Sequence, residues 1–266
     1  MSLVTLLSDF GTRDTYAGVV EGAILRVAPD ARVLHLTHGV APGDIAAGAR
    51  ALADAVPHLP VGIHVAVIDP GVGTDRRALV LQSADGRLFV GPDNGLLVAA
   101  AERSGGIAAA HALVVPPDAS PTFHGRDVFA PAAGRLALGN APGTLGDSVD
   151  PAALVRLTLP GPAVEFGSLR APCVHVDRFG NCALAAAASD LEGAGLVPGT
   201  AVAVSVRGLR RGAAERGRTF ADVPPGALVV LVDSAGAAAL CINGGDAASE
   251  LRLAIGDDVE LRLPFD

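Results

Sequence analysis

Two features of this chain point to an α/β domain with a mainly parallel central sheet, followed by a smaller all-β, barrel-like domain. In the first half, short β-branched apolar runs alternate with segments of helical spacing, the pattern of parallel strands covered by helices. In the second half, short apolar runs follow one another at turn-separated spacing, the pattern of a small barrel or sandwich. With 266 residues, half of them hydrophobic, the chain has enough material for two cores.

The elements follow in order. LVTLL (3–7), RVLHL (32–36), GIHVAVID (62–69), RALVLQ (77–82) and LFVG (88–91) have strand length and composition. Helical spacing runs through 15–29, closed by Pro29, and through 43–59. HALVV (111–115) reads as a further strand, and 125–139 as a helix with Pro131 early in it. These make up an N-terminal domain over 1–142. The turn-rich stretch 143–162 reads as a linker. The all-β domain, 163–266, carries CVHVDRF, TAVAVSV, ALVVLVD, AAALCIN and DVELRLP as strands, with one hint of a helix at 186–196.

Composition excludes several functions. A formal net charge of −8 lacks the basic face that nucleic acid requires, so no nucleic-acid partner is expected. No run approaches the ~18 apolar residues of a membrane span, so no membrane partner is expected either. MSLVTLLSDF has no basic start and meets Asp9 early, which makes the cytoplasm the expected compartment. Cys173, Cys182 and Cys241 are widely spaced in apolar surroundings and read as buried reduced thiols. All 20 basic side chains are arginine. Without lysine there is no Schiff-base amine and no P-loop lysine.

Ligands of open α/β sheets bind outside the carboxyl ends of the strands. There this chain places SDFGTRD (Asp9, Asp14), DPGVGTDRR (Asp69, Arg76, Arg77), GPDNGLL (Asp93, Asn94) and, before the 125–139 helix, TFHGRD (Thr122, His124, Arg126). GxxxxGK[ST], GxGxxG and GxSxG are absent, and the seven histidines show no HxxxH or HExxH spacing, so no metal is expected. An acid, a guanidinium and an imidazole on separate loops remain. On residue chemistry alone Asp9 and Asp14 could equally cap the following helix, and Asp69 could be turn chemistry. Arg77 and Arg126 read as structural charges, and Asp93 and Asn94 as a turn and cap.

LLSDFGTRDTYAGVVEGAI, VIDPGVGTDRR, FVGPDNGLL, TFHGRDVFAPAAGRLA and VDRFGN, in this order, closely resemble the S-adenosylmethionine (SAM) hydroxide adenosyltransferase family, relatives of the fluorinases and chlorinases. The resemblance runs from about residue 3 to 181 and more weakly to the end. It implies an α/β domain, a C-terminal barrel, and a homotrimer with active sites at subunit interfaces. It also implies attack of water on ribose C5′ of SAM, giving adenosine and L-methionine, with SAM as a small-molecule substrate and no cofactor. The matching catalytic trio is Asp69, Arg76 and His124. Substrate-binding positions carry over as Asp9 to the ribose hydroxyls with Asp14 in support, and Thr122 and Phe123 at the reacting centre. Asp177 and Ser234 match the methionine end, Phe179 and Asn181 the adenine, and Phe220 a further apolar wall.

The chain also departs from the family. CALAA follows FGN, after which a Thr-Asn pair is common, Gly43 replaces a halogenase tryptophan, and Ala235 replaces a halogenase arginine. Asp69 and Val72 stand where halogenases carry Tyr and Thr. A carboxylate repels a halide and suits water, so hydrolysis is expected. A SAM-dependent halogenase and a non-catalytic SAM or adenosine sensor are the alternatives.

Overall fold

The computed structural model describes residues 2–158 and 160–264, which form two compact units, 1–157 and 158–266. In the first, seven strands form one sheet: β1 (Leu3–Ser8), β2 (Arg32–Thr37), β3 (Ile63–Val67), β4 (Ala78–Ser83), β5 (Leu88–Pro92), β6 (Ile107–Leu113) and β7 (Gly146–Ser148). Their order is β2-β1-β3-β5-β4-β6-β7. The first four in that order are parallel, and β4, β6 and β7 extend the sheet antiparallel.

Four helices cover the sheet: α1 (Tyr16–Val27), α2 (Ile45–Ala55), α3 (Val98–Arg103) and α4 (Ala130–Ala137). Strand alternation sorts the side chains into two cores. Val4, Leu6, Val65 and Val67 pack with Val20 and Ile24 of α1 and with Ala130 and Ala133 of α4. On the opposite face Leu7, Ala66 and Ile68 pack with Leu52 of α2 and Ala100 of α3. Burial on both faces is why these strands read as nearly continuous apolar runs. A Cβ on Gly134 would sit 2.7 Å from Val27 Cβ, so α4 approaches α1 at a distance only glycine permits. Before α4, Gly125–Phe129 forms a π-helical turn, with Ala130 N–H reaching the Gly125 carbonyl. Wide turns of this kind are common beside functional sites.

The sheet departs from expectation at its far edge. β6 starts at Ile107 and ends at Leu113, leaving Val114 and Val115 exposed beyond it. Part of the stretch read as a linker is sheet: β7 pairs with β6. Alanine-rich α3 was not anticipated.

The second unit is a closed seven-stranded barrel. Around it run β9 (Ser168–Val176), β10 (Cys182–Ala187), β14 (Ala237–Ile242), β13 (Leu228–Val232), β12 (Leu209–Arg216), β11 (Ala201–Val206) and β15 (Asp258–Arg262), with β15 returning to β9. β8 (Ala163–Glu165) is attached to β9. Two short helices, α5 (Ala188–Gly193) and α6 (Ala247–Leu251), complete the unit. Its core includes Leu169, Leu184, Val202, Val204, Val230, Leu240 and Leu261. All three cysteines are buried thiols.

Candidate active site

Along the sheet, β1 connects to β2 on one side, and β3 lies on the other. α1 and α2 consequently cover opposite faces, which opens a crevice at the carboxyl ends of β1 and β3. Ser8 and Val67 are register partners there, so Asp9 and Asp69 leave adjacent strands side by side. A cavity of about 160 Å³ occupies the crevice, lined by Asp9, Phe10, Gly43, Val67, Asp69, Pro70, Val72, Thr122, Phe123, His124 and Gly125.

The loop after β3 turns back on itself through Gly71–Thr74, where Val72 N–H bonds the Asp69 carbonyl and Thr74 N–H the Gly71 carbonyl. Gly73 has φ +78°, and a Cβ there would lie 2.3 Å from the Pro121 carbonyl oxygen. This glycine therefore lets the loop press against the segment that delivers Thr122, Phe123 and His124. Asn94 anchors the same loop from another side, its Nδ2 donating to the Ile68 carbonyl at 2.8 Å.

Arg76 folds back onto Asp69. Its Nε donates to Oδ1 at 2.9 Å and Oδ2 at 3.1 Å, and its Nη2 donates to Oδ2. The side chains are 10% and 5% exposed respectively, so the ion pair is buried. The guanidinium lies over the Phe129 ring, 5.3 Å from its centroid. Nη2 also reaches His124 Nδ1 at 2.9 Å. A guanidinium can only donate, so Nδ1 must accept and the His124 proton resides on Nε2. Burial, and then the Arg76 charge, hold the His124 pKa below its ordinary value, against opposing pulls from Asp69 and Asp127. The imidazole is neutral at pH 7 and offers an N–H donor at Nε2.

Asp9 is half-buried, with Oδ2 accepting the Gly43 N–H at 2.8 Å. Thr122 and Phe123 line the cavity beside it, and Phe123 meets Phe10 and Tyr16 edge-on. Asp14 is exposed and stands outside the lining. It does not cap α1 either, whose N-cap, Thr15, makes no side-chain capping bond. Phe10 escaped sequence reasoning although it adjoins Asp9 in SDFGT; nothing in the sequence distinguishes it from a core phenylalanine. The residues read as structural behave so: Arg77 pairs with buried Asp93 and Arg126 with Asp127.

In the barrel, Asp177, Phe179 and Asn181 share the β9–β10 turn. Asp177 Oδ1 accepts the backbone N–H groups of Phe179 and Asn181, and Oδ2 accepts Asn181 Nδ2 at 2.8 Å. Burial raises the Asp177 pKa, but these hydrogen bonds outweigh it and the net shift is downward. Phe179 is 70% exposed. Ser234 is exposed on the β13–β14 turn, and the antiparallel register of β10 with β14 sets that turn at the opposite end of the strand pair. Phe220 opens a 3-10 turn before β13. Among the described residues no three His, Cys, Asp or Glu side chains converge as a metal site would, and no helix is long and apolar enough to cross a membrane.

Residues 4–146 match the SAM hydroxide adenosyltransferase N-terminal domain, and residues 171–260 match that family's C-terminal domain. The chain belongs to the SAM hydroxide adenosyltransferase family. Over 262 residues it is 46% identical to a protein of Salinispora arenicola named (R)-S-adenosyl-L-methionine hydrolase, covering 97% of each chain. Identity to a fluorinase of an Actinoplanes species is lower, 27% over 283 residues, covering 96% of this chain and 95% of that one. Among solved structures, an uncharacterized conserved protein from Thermotoga maritima superposes with a TM-score of 0.91 at 31% identity, covering 97% and 99% of the two chains. Within this family the chain therefore sits nearer the hydrolases than the fluorinases.

Proposed function

We propose that this chain hydrolyses S-adenosyl-L-methionine at ribose C5′, releasing adenosine and L-methionine. The observation that carries this reading is the buried Asp69–Arg76–His124 constellation, whose Asp69 and His124 line one cavity with Asp9. The oxygen of a water molecule bonds to C5′ as the C5′–S bond breaks, and the thioether of methionine leaves with the bonding pair. A sulfonium needs no acid to depart, so the demand falls on the nucleophile, which must be aligned and relieved of a proton.

The trio divides that work. His124 Nδ1 is committed to Arg76 and Nε2 carries a hydrogen, so neutral His124 orients the water as a donor. The Asp69 carboxylate, with room for about four hydrogen bonds, receives three from Arg76 and keeps acceptor capacity for the water proton. Arg76 holds that carboxylate in place and balances its charge. Asp9 takes the ribose hydroxyls, with Thr122 and Phe123 bordering C5′. Asp177, Phe179, Asn181, Phe220 and Ser234 serve the methionine and adenine ends, and Asp14 supports the Asp9 loop.

The reading extends to the (R) sulfonium epimer that the Salinispora relative's name specifies. It also includes a cytoplasmic homotrimer with active sites at subunit interfaces, working without cofactor or metal. Buried cysteine thiols suit a reducing compartment. The test is incubation of the purified protein with each SAM epimer, with and without excess chloride or fluoride, followed by chromatography. Adenosine formed regardless of halide supports the reading. A 5′-halogenated nucleoside formed at a comparable rate overturns it in favour of halogenation, and tight binding without turnover overturns it in favour of a sensor.

A further inference from the structure

Beneath the Asp9 loop runs a chain of hydrogen bonds that the trio does not use. Ser8, the last residue of β1, is fully buried, and its Oγ meets His38 Nδ1 at 2.7 Å. His38 Nε2 meets His35 Nδ1 at 2.6 Å, and His35 Nε2 meets Glu21 Oε2 at 3.1 Å. At the other end the Phe10 N–H donates to Ser8 Oγ at 3.2 Å. The His38 backbone takes part too, its carbonyl accepting the Gly11 N–H at 2.7 Å.

With both rings neutral, donor and acceptor rules give this chain one direction. The Glu21 carboxylate accepts, so His35 Nε2 bears the hydrogen and, in the neutral ring, Nδ1 accepts from His38 Nε2–H. His38 Nδ1 must then accept from the Ser8 hydroxyl, leaving Ser8 Oγ free to accept the Phe10 N–H. Every hydrogen then points toward Glu21, and every link is satisfied. Burial, with His35 adjoining, lowers the His38 pKa, which agrees with a neutral ring.

We propose that His38 is a positioning residue for substrate binding: its ring fixes Ser8 and its carbonyl fixes Gly11, so that Asp9 and Phe10 between them face the cavity. Consecutive residues at the end of a strand point to opposite sides, so pinning Ser8 inward sets Asp9 outward. The Gly43 N–H then steadies the carboxylate from the same β2–α2 segment that carries His38. His35 and Glu21 act one step further out by fixing the tautomer of His38. The kinetic part of this inference rests on the proposed reading of Asp9 as the ribose contact.

The experiment compares wild type with His38→Leu and His38→Asn. Leucine removes the acceptor, whereas asparagine keeps one near the Nδ1 position. His38→Leu is expected to raise KM for SAM and Kd for adenosine in parallel by about tenfold, the worth of one lost hydrogen bond, while kcat changes little. His38→Asn is expected to restore most of both. In ¹⁵N-histidine spectra of the wild-type protein at neutral pH, His38 should be protonated at Nε2 alone. A folded His38→Leu variant with unchanged KM and adenosine affinity overturns the proposal, as does a His38 proton found on Nδ1. If the leucine variant does not fold, the asparagine variant and the spectra decide. Failure of the wild type to hydrolyse SAM would count against the proposed function, and the spectra would still test the hydrogen-bond chain.

Discussion

Asp69→Asn exchanges one carboxylate oxygen for an NH₂ group and removes a charge while preserving shape. Three hydrogen bonds from Arg76 converge on the two oxygens in the native pair. If the amide oxygen replaces Oδ2, two of them survive, and the new NH₂ faces the Arg76 Nε–H where an acceptor stood 2.9 Å away. With the partners 10% and 5% exposed, this leaves a nearly buried guanidinium without its counter-charge. Breaking such a pair costs about 3–5 kcal/mol. The surviving bonds place the variant near the lower figure, about 3 kcal/mol. The catalytic loss is separate. Removing the group that takes the water proton should lower kcat by about 10²- to 10⁴-fold, or roughly 3–5 kcal/mol of barrier. KM should move far less, because Asp9, Thr122 and Phe123 remain. Urea unfolding measures the first quantity, and adenosine release at saturating SAM measures the second. A folded Asp69→Asn protein whose kcat falls by less than about tenfold would refute the role given to Asp69.

Gly73→Ala, which forces a Cβ into the left-handed region 2.3 Å from the Pro121 oxygen, should cost about 1–3 kcal/mol and lower kcat by displacing the His124 segment. Gly86→Ala has φ +89° but open space around it, so it should cost stability without touching kcat; equal kcat in the two variants would remove the explanation. Asp9→Ala should raise KM about ten- to a hundredfold with kcat nearly unchanged, measured by initial rates. His64 is fully buried, and burial, then the Arg87 charge, lower its pKa to about 4 against a weaker pull from Asp85. The folded state thus binds this proton less readily than the unfolded chain, and the stability is complete above pH 6.5 and lost as pH falls toward 4. The loss is about 3 kcal/mol at His64, and urea unfolding of His64→Gln should show a flatter pH dependence over that window.

Elements buried on two faces were the most legible in the sequence, because β1, β3 and β5 leave little room for polar residues. β10 (CALAAA) and β12 (LRRGAAER) were not legible. Alanine and arginine carry little strand preference, and closure of the barrel, not local propensity, makes them strands. At the site, Asp69, Arg76 and His124 could be singled out by residue type and motif, and they do converge. The tautomer of His124 could not be read beforehand, since it follows from which ring nitrogen meets Arg76. His35 and His38 likewise gave no signal, for their partners Glu21 and Ser8 lie 14 and 30 residues away in sequence. The 177–181 turn adds a feature the sequence does not show: Asp177 and Asn181 also bond each other, with Asn181 Nδ2 donating to Asp177 Oδ2.

The pairing of Asp69 with Arg76 also bears on how ligands come and go. Carboxylate, guanidinium and neutral imidazole sum to zero, so the reacting centre offers no net attraction to a cation. SAM carries one net positive charge, with its sulfonium and ammonium set against one carboxylate. Its capture then falls to the carboxylates of Asp9 and Asp177 and to the long-range field of a chain with net charge −8. That field acts on the substrate but not on adenosine or zwitterionic methionine, so turnover itself switches off the attraction. Capture should weaken as salt screens the field, while departure of the neutral products should be almost indifferent to ionic strength.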